Sequence, residues 1–185
     1  MSWFLLILGI AIWWGAHLFK RVAPGARAGL GDPGKGIVAV LLVLSIVLMV
    51  IGYRGVEFIN VWYPPSFMVH INNLLMLIAI YLLSPAAKRG KLIYGMRHPM
   101  LTGFKTWAIA HLLVNGDLAS IVLFGALLAW AVVEVIVINR SEPGWVKPSQ
   151  PGTLAKDAMF LVGSVVLLAV IGYIHSWLGV WPFPS

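Results

Sequence analysis

Gly36-Ile37-Val38-Ala39-Val40-Leu41-Leu42-Val43-Leu44-Ser45-Ile46-Val47-Leu48-Met49-Val50-Ile51-Gly52-Tyr53 fills the interval between Lys35 and Arg54 without one acidic or basic side chain. Val, Ile and Leu occupy every face that a helix through this run would present, so no face is left for water. With its flanks the run is long enough for the roughly 30 Å hydrocarbon core of a bilayer, and it reads as a lipid-embedded helix. The rest of the chain shares its character. Of the 185 residues, 61% are hydrophobic and 10% charged, against roughly 45–50% and 25% in soluble domains. A chain of this length cannot hide that much apolar surface in one core, so a soluble globule is excluded and the solvent is lipid.

Working outward, Met1 to Phe19 is a second stretch free of Asp, Glu, Lys and Arg. It lacks a basic segment before it and a small-residue cleavage signature after it, and is expected to be a retained span rather than a signal peptide. Tyr63-Pro64-Pro65 suits no helix interior, so a third segment is expected from about Ser66 to Leu83, ending at Ser84-Pro85. Only 11 residues separate Lys105 from Asp117, too few to cross a core of roughly 30 Å at 1.5 Å per residue. Pro99 suits a first helical turn, so a fourth helix is expected from Pro99 to Val114, with Lys105 snorkelling or facing the bundle. Asn115-Gly116-Asp117 turns the chain into a fifth segment, Leu118 to about Asn139, which contains Glu134. The proline- and glycine-rich stretch Glu142–Gly152 is a loop, and a sixth segment runs from Ala158 to about Leu178. Trp3, Trp62, Tyr63, Trp177, Trp181 and Phe183 fit an interfacial aromatic belt, and the tryptophans in general read as anchors rather than a cofactor box. The expected fold is an all-α, polytopic membrane bundle of about six transmembrane helices. It forms one domain over residues 1–185, with no internal repeat and no low-complexity segment.

Lys and Arg counted by loop run 4, 1, 4, 0, 3, 0 along the chain. The strict alternation is what the positive-inside rule demands if the odd loops are cytoplasmic, which places both termini outside. The net charge of +7 is therefore spread over three short loops, whereas a nucleic-acid surface needs its charges on one soluble face; nucleic acid is excluded as a partner. The absence of cysteine excludes disulfides, thiolate metal sites, covalent haem attachment and a Cys nucleophile. No hydrolase, P-loop or dinucleotide fingerprint occurs.

Each ionisable group inside a span then acquires a depth. His17 lies about 4–5 Å above the cytoplasmic end of the first helix, and His111 about 9 Å beyond Lys105 on the fourth. A modest tilt brings two such imidazoles to one level, where they can share one haem iron between two helices. Glu134 enters the same layer, with Arg97, His98 and Lys105 at or below it, and the basic groups suit two haem propionates. The outer half holds a rival set, His70 with Asn72 and Asn73 on the third helix and His175 on the sixth. The plainer alternatives are interhelical hydrogen bonding for the histidines and asparagines, and pairing with Arg97 or Lys105 for Glu134.

The stretch Arg97-His98-Pro99-Met100-Leu101-Thr102-Gly103-Phe104-Lys105, with Trp107-Ala108-Ile109-Ala110-His111, Asn115-Gly116-Asp117-Leu118-Ala119-Ser120, Phe124-Gly125-Ala126 and Ala129-Trp130-Ala131, closely resembles the signature of bacterial NnrU proteins. The hydrophobic layout is similar along essentially the whole chain. NnrU proteins are similar to plant 15-cis-zeta-carotene isomerase, a membrane enzyme that binds haem b through two histidines. Motif for motif, the resemblance assigns those ligands to His111 and His17, and implies non-covalent haem b. The plant enzymes carry a cysteine three residues before the second histidine; here Ala108 stands in its place, so a thiolate switch is impossible. The resemblance further implies the bacterial cytoplasmic (inner) membrane and a redox-linked role in denitrification or nitric-oxide metabolism. The alternatives are cis-trans isomerisation of an apolar, carotenoid-like polyene arriving from the bilayer, and a structural accessory without cofactor.

Overall fold

A computed structural model describes residues 1–184; Ser185 lies outside the described residues. Among these, eight helices and no strand are present: α1 (Ser2–Val22), α2 (Pro24–Gly29), α3 (Pro33–Gly55), α4 (Met68–Leu83), α5 (Ala86–Arg89), α6 (Pro99–Val114), α7 (Leu118–Ser141) and α8 (Leu154–Trp177). All six expected segments are helical, and α6 has the expected bounds. α1, α3, α7 and α8 are each long and apolar enough to cross a membrane, while α4 is a shorter apolar helix. Where helices outrun the apolar stretches, they do so by taking basic residues into their last turns: Lys20 and Arg21 in α1, Arg54 in α3, Arg140 in α7. Cations there meet the negative end of the helix dipole, so the helix continues past the point where hydropathy stops. The short helices α2 and α5 lie in segments expected to be loops.

The helices group into two compact units, each drawn from separated parts of the chain: Met1–Trp62 with Asp117–Pro143, and Tyr63–Gly116 with Gly144–Ser185. In the first, α1 and α3 form an antiparallel hairpin at close range. A Cβ on Gly9 would stand 2.8 Å from the Met49 nitrogen and the Ser45 carbonyl, and Gly52 meets the Leu6 backbone in the same way. Leu6 and Ser45 are fully buried there, and the Ser45 hydroxyl donates to the Leu42 carbonyl at 2.7 Å. Small residues that let backbones approach are the usual basis of helix packing in lipid. α7 is started by Asp117, which accepts from the Ser120 nitrogen at 2.9 Å and the Ser120 hydroxyl at 2.5 Å. With its proton given to Asp117, Ser120 accepts from the Tyr53 hydroxyl at 2.8 Å, which ties the end of α3 to the start of α7. The Leu118 nitrogen adds a bond to the Ile59 carbonyl at 2.8 Å.

In the second unit, Gly103 near the start of α6 packs against Ala79, Leu82 and Leu83 at the end of α4, so these helices are antiparallel. Asp157 fixes the other edge. Its carboxylate, 3% exposed, accepts from the Tyr81 hydroxyl at 2.5 Å and from the Lys91 and Leu92 nitrogens at 2.6 and 3.2 Å. The start of α8 is thereby joined to the end of α4 and to the loop after α5. Thr153 caps α8, accepting from the Lys156 nitrogen at 3.3 Å, so the helix begins before the expected Ala158 and Asp157 belongs to it. Outside these packed faces the exterior is apolar, with Val40, Val43 and Ile51 on α3 and Val162, Val166 and Val170 on α8 all exposed. Such a surface fits a membrane environment.

Candidate functional site

α1 carries Trp13, His17 and Arg21 at intervals of four residues, one above another on a single stripe, and α7 carries Trp130 and Glu134 at the same interval. In the first unit these stripes face each other as rungs. The Trp13 and Trp130 rings meet edge to face at 5.2 Å between centroids. The His17 imidazole sits between them, 4.2 Å from Trp13 and 4.5 Å from Trp130. One turn on, Arg21 Nη1 donates to Glu134 Oε1 at 2.8 Å, with the two side chains 19% and 7% exposed. Arg21 Nη2 approaches the exposed Glu142 at 3.5 Å, while Arg21 Nε and Glu134 Oε2 are buried without a hydrogen-bond partner. A burial this deep requires a counter-charge, and Arg21 supplies it. The expected partners of Glu134 were Arg97 or Lys105. Arg21 takes that place because α1 continues three residues beyond Phe19 and carries the guanidinium along the His17 stripe.

The second unit holds His111, on α6. Its Nδ1 is 2.9 Å from the Trp107 carbonyl one turn back, as His17 Nδ1 is 2.9 Å from the Trp13 carbonyl. A carbonyl only accepts, so in both residues Nδ1 carries the proton and Nε2 carries the lone pair, the tautomer a metal-ligating histidine needs. The indole before each histidine also stacks on it, at 4.2 Å for Trp13 and His17 and 4.9 Å for Trp107 and His111, tilted by 46° and 50°. The sequences match as well. Trp13-Trp14-Gly15-Ala16-His17-Leu18 and Trp107-Ala108-Ile109-Ala110-His111-Leu112 share the pattern Trp-x-x-Ala-His-Leu, with Ala16 and Ala110 buried in both. An echo this short is no internal repeat, yet it links the two histidines in the sequence before any geometry. Trp13 and Trp130 thus flank the His17 imidazole, and Trp107 packs against that of His111.

The remaining candidates are seated individually. His175, near the end of α8, donates from Nδ1 to the Ile171 carbonyl at 2.8 Å. His70 is exposed at the start of α4, and Asn72 donates to Asn73 at 2.9 Å. Lys105 is half-buried in the second turn of α6, and the Arg97 guanidinium stands 6.0 Å from the Trp145 ring centroid. Among the described residues, no group of three or more His, Cys, Asp or Glu is placed to hold a bare metal ion. A macrocycle that brings its own four donors asks less of the protein, namely axial nitrogens, and the histidines present are of that kind. They fit such a group in tautomer and in aromatic support.

These features define an all-helical protein of the multi-pass membrane class, with histidines seated on indoles inside its helices. A family model described as NnrU protein matches residues 5–182, and the chain belongs to the NnrU family. No curated protein and no solved structure matches it.

Proposed function

We propose that this NnrU family protein binds haem b without covalent attachment, through His17 and His111, and serves a redox-linked role in denitrification or nitric-oxide metabolism at the bacterial cytoplasmic membrane. The carrying observation is the shared seat of the two imidazoles, each donating Nδ1–H at 2.9 Å to the carbonyl of a tryptophan that also stacks on it. That arrangement fixes the tautomer and stiffens the ring before any ligand arrives. When bound, haem supplies one-electron chemistry, and two strong axial nitrogens suit electron transfer. Arg97, Lys105 and Glu134 with Arg21 are the charged groups near the helix ends from which these histidines rise. The reading includes six spans, α1, α3, α4, α6, α7 and α8, with both termini outside, in accord with the alternating loop charges.

The alternative, cis-trans isomerisation of an apolar polyene, draws on a different observation. A groove of about 370 Å³ lies between α1 and α3, lined by Ile12, Gly15, Ala16, Phe19, Ile37, Val38 and Leu41. It adjoins His17 in sequence and is apolar throughout, so a hydrocarbon chain could reach it from lipid. The test of haem binding is visible absorption of the purified protein, oxidised and reduced. A low-spin bis-histidine spectrum is expected, and His17→Ala or His111→Ala should abolish it or convert it to a five-coordinate form. Unchanged spectra in both variants would reject these ligands. Coexpression with a pathway producing cis-carotenes separates the readings, since an unchanged isomer composition under reducing conditions counts against the isomerase.

A further inference from the structure

The seam between α1 and α3 is closed at one end and open at the other. Gly52 rests on the Leu6 backbone, and a Cβ on Gly9 would stand 2.8 Å from the Met49 nitrogen, so at that end the two backbones leave no gap. Carried on in the same antiparallel register, Leu41 comes level with His17 and Val38 with Lys20. Here the seam parts into the groove of about 370 Å³, with Ala16 and Phe19 on one wall and Val38 and Leu41 on the other. A Cβ on Gly15, at its rim, would meet nothing within 4 Å. The change follows side-chain size: glycines let backbones touch, whereas Phe19, Ile37 and Leu41 hold them apart. A volume of this size lies within the roughly 300–1,000 Å³ range of ligand clefts.

The open end of the groove leads to the turn that carries α2. Gly34, one helical turn before Val38, is buried beneath the Arg27 side chain, so that a Cβ there would stand 2.5 Å from Arg27 Nη1. The guanidinium is thereby held about one turn, roughly 5 Å, beyond the apolar wall. Asp32 is the one carboxylate between Arg21 and Lys35, and Lys35 engages it at 3.4 Å. Among the described residues, neither half-buried Arg27 nor exposed Lys20 forms an ion pair. An apolar slot that ends at an uncompensated guanidinium is complementary to a molecule with a hydrocarbon tail and a negative head. A neutral polyene offers Arg27 nothing, and a free phosphate offers the slot nothing.

We propose that the groove between α1 and α3 binds one anionic phospholipid, with an acyl chain between Ala16 and Leu41 and the phosphate against Arg27, Lys20 standing nearby. This site is independent of the haem reading, and it gives the groove a different occupant from a polyene. The lipid closes the wedge that the two helices leave open, and its phosphate supplies the counter-charge that the turn lacks.

The test is native mass spectrometry of the full chain in detergent, titrated separately with dioleoyl phosphatidylglycerol and dioleoyl phosphatidylcholine. Wild type is compared with Arg27→Gln, Gly15→Trp and Arg140→Gln, the last removing the same charge from the last turn of α7. Wild type should retain one phosphatidylglycerol per chain, with about fivefold preference over phosphatidylcholine. Arg27→Gln should lose that preference and Arg140→Gln should keep it. Gly15→Trp, which fills the open rim, should lower uptake of both lipids. Equal affinity of the wild type for the two lipids overturns the proposal, because the tail alone would then select the occupant, as it would for a polyene. Equal loss in Arg27→Gln and Arg140→Gln overturns it in favour of net charge, and unchanged uptake by Gly15→Trp overturns the groove as the site.

Discussion

The ion pair between Arg21 and Glu134 lends itself to a double-mutant cycle whose outcome follows from its geometry. The contact is a single charge-assisted hydrogen bond of 2.8 Å between side chains 19% and 7% exposed, worth about 1.5–3 kcal/mol. In Glu134→Leu the guanidinium keeps only the exposed Glu142 at 3.5 Å, a contact worth about 0.2–1 kcal/mol. That variant should lose about 2 kcal/mol. Arg21→Met is expected to be worse, at about 3–5 kcal/mol, because it strands a buried carboxylate. Combining Arg21→Met with Glu134→Leu removes both charges and both desolvation penalties, so the double variant should lie within about 1 kcal/mol of wild type. The coupling should therefore exceed about 2 kcal/mol. The assay is reversible unfolding in mixed micelles on titration with dodecyl sulfate, read by tryptophan fluorescence, to which Trp13 and Trp130 contribute from the adjoining rungs. A double variant that loses the sum of the two single losses would refute the view that the charges are held by each other.

Gly9→Val should cost about 1–3 kcal/mol by forcing α1 away from α3, since its Cβ would meet Met49 and Ser45 backbone atoms at 2.8 Å. Gly15→Val, which meets nothing within 4 Å, should leave unfolding in the same micelles within about 0.5 kcal/mol of wild type. Because the chain has no cysteine, topology can be read by single substitutions and a membrane-impermeant maleimide. Glu57→Cys should label in intact cells and Lys91→Cys only after permeabilisation, and the reverse pattern would invert the orientation.

The spans were legible because apolar runs and prolines act locally. Pro99 at a first turn and Asn115-Gly116 at an end bound α6 through backbone chemistry alone. The helix ends at Arg21 and Asp157 were not legible in the same way, because hydropathy scores a charge as a stop whereas a helix can carry one onward to a partner. Arg21 meets Glu134 across 113 positions of sequence, and Asp157 meets two amides of another loop; neither partner is marked by composition. His17 and His111 stood out as intramembrane imidazoles. Their shared indole seat was written in Trp-x-x-Ala-His-Leu and is visible once spacing of four is tested. His175 has no such marker in its local sequence.

The interleaving of the two units bears on biosynthesis. Ribosomes deliver α1 and α3 first, yet the helix that completes their unit, α7, emerges only after α4 and α6. The other unit in turn waits for α8. Neither half can close while its first members are being inserted, so the early hairpins must persist in the bilayer as intermediates with polar faces still uncovered. His17 and Arg21 remain without Trp130 and Glu134 until the final third of translation, so α1 carries its imidazole and its guanidinium through most of synthesis without the side chains that bury them.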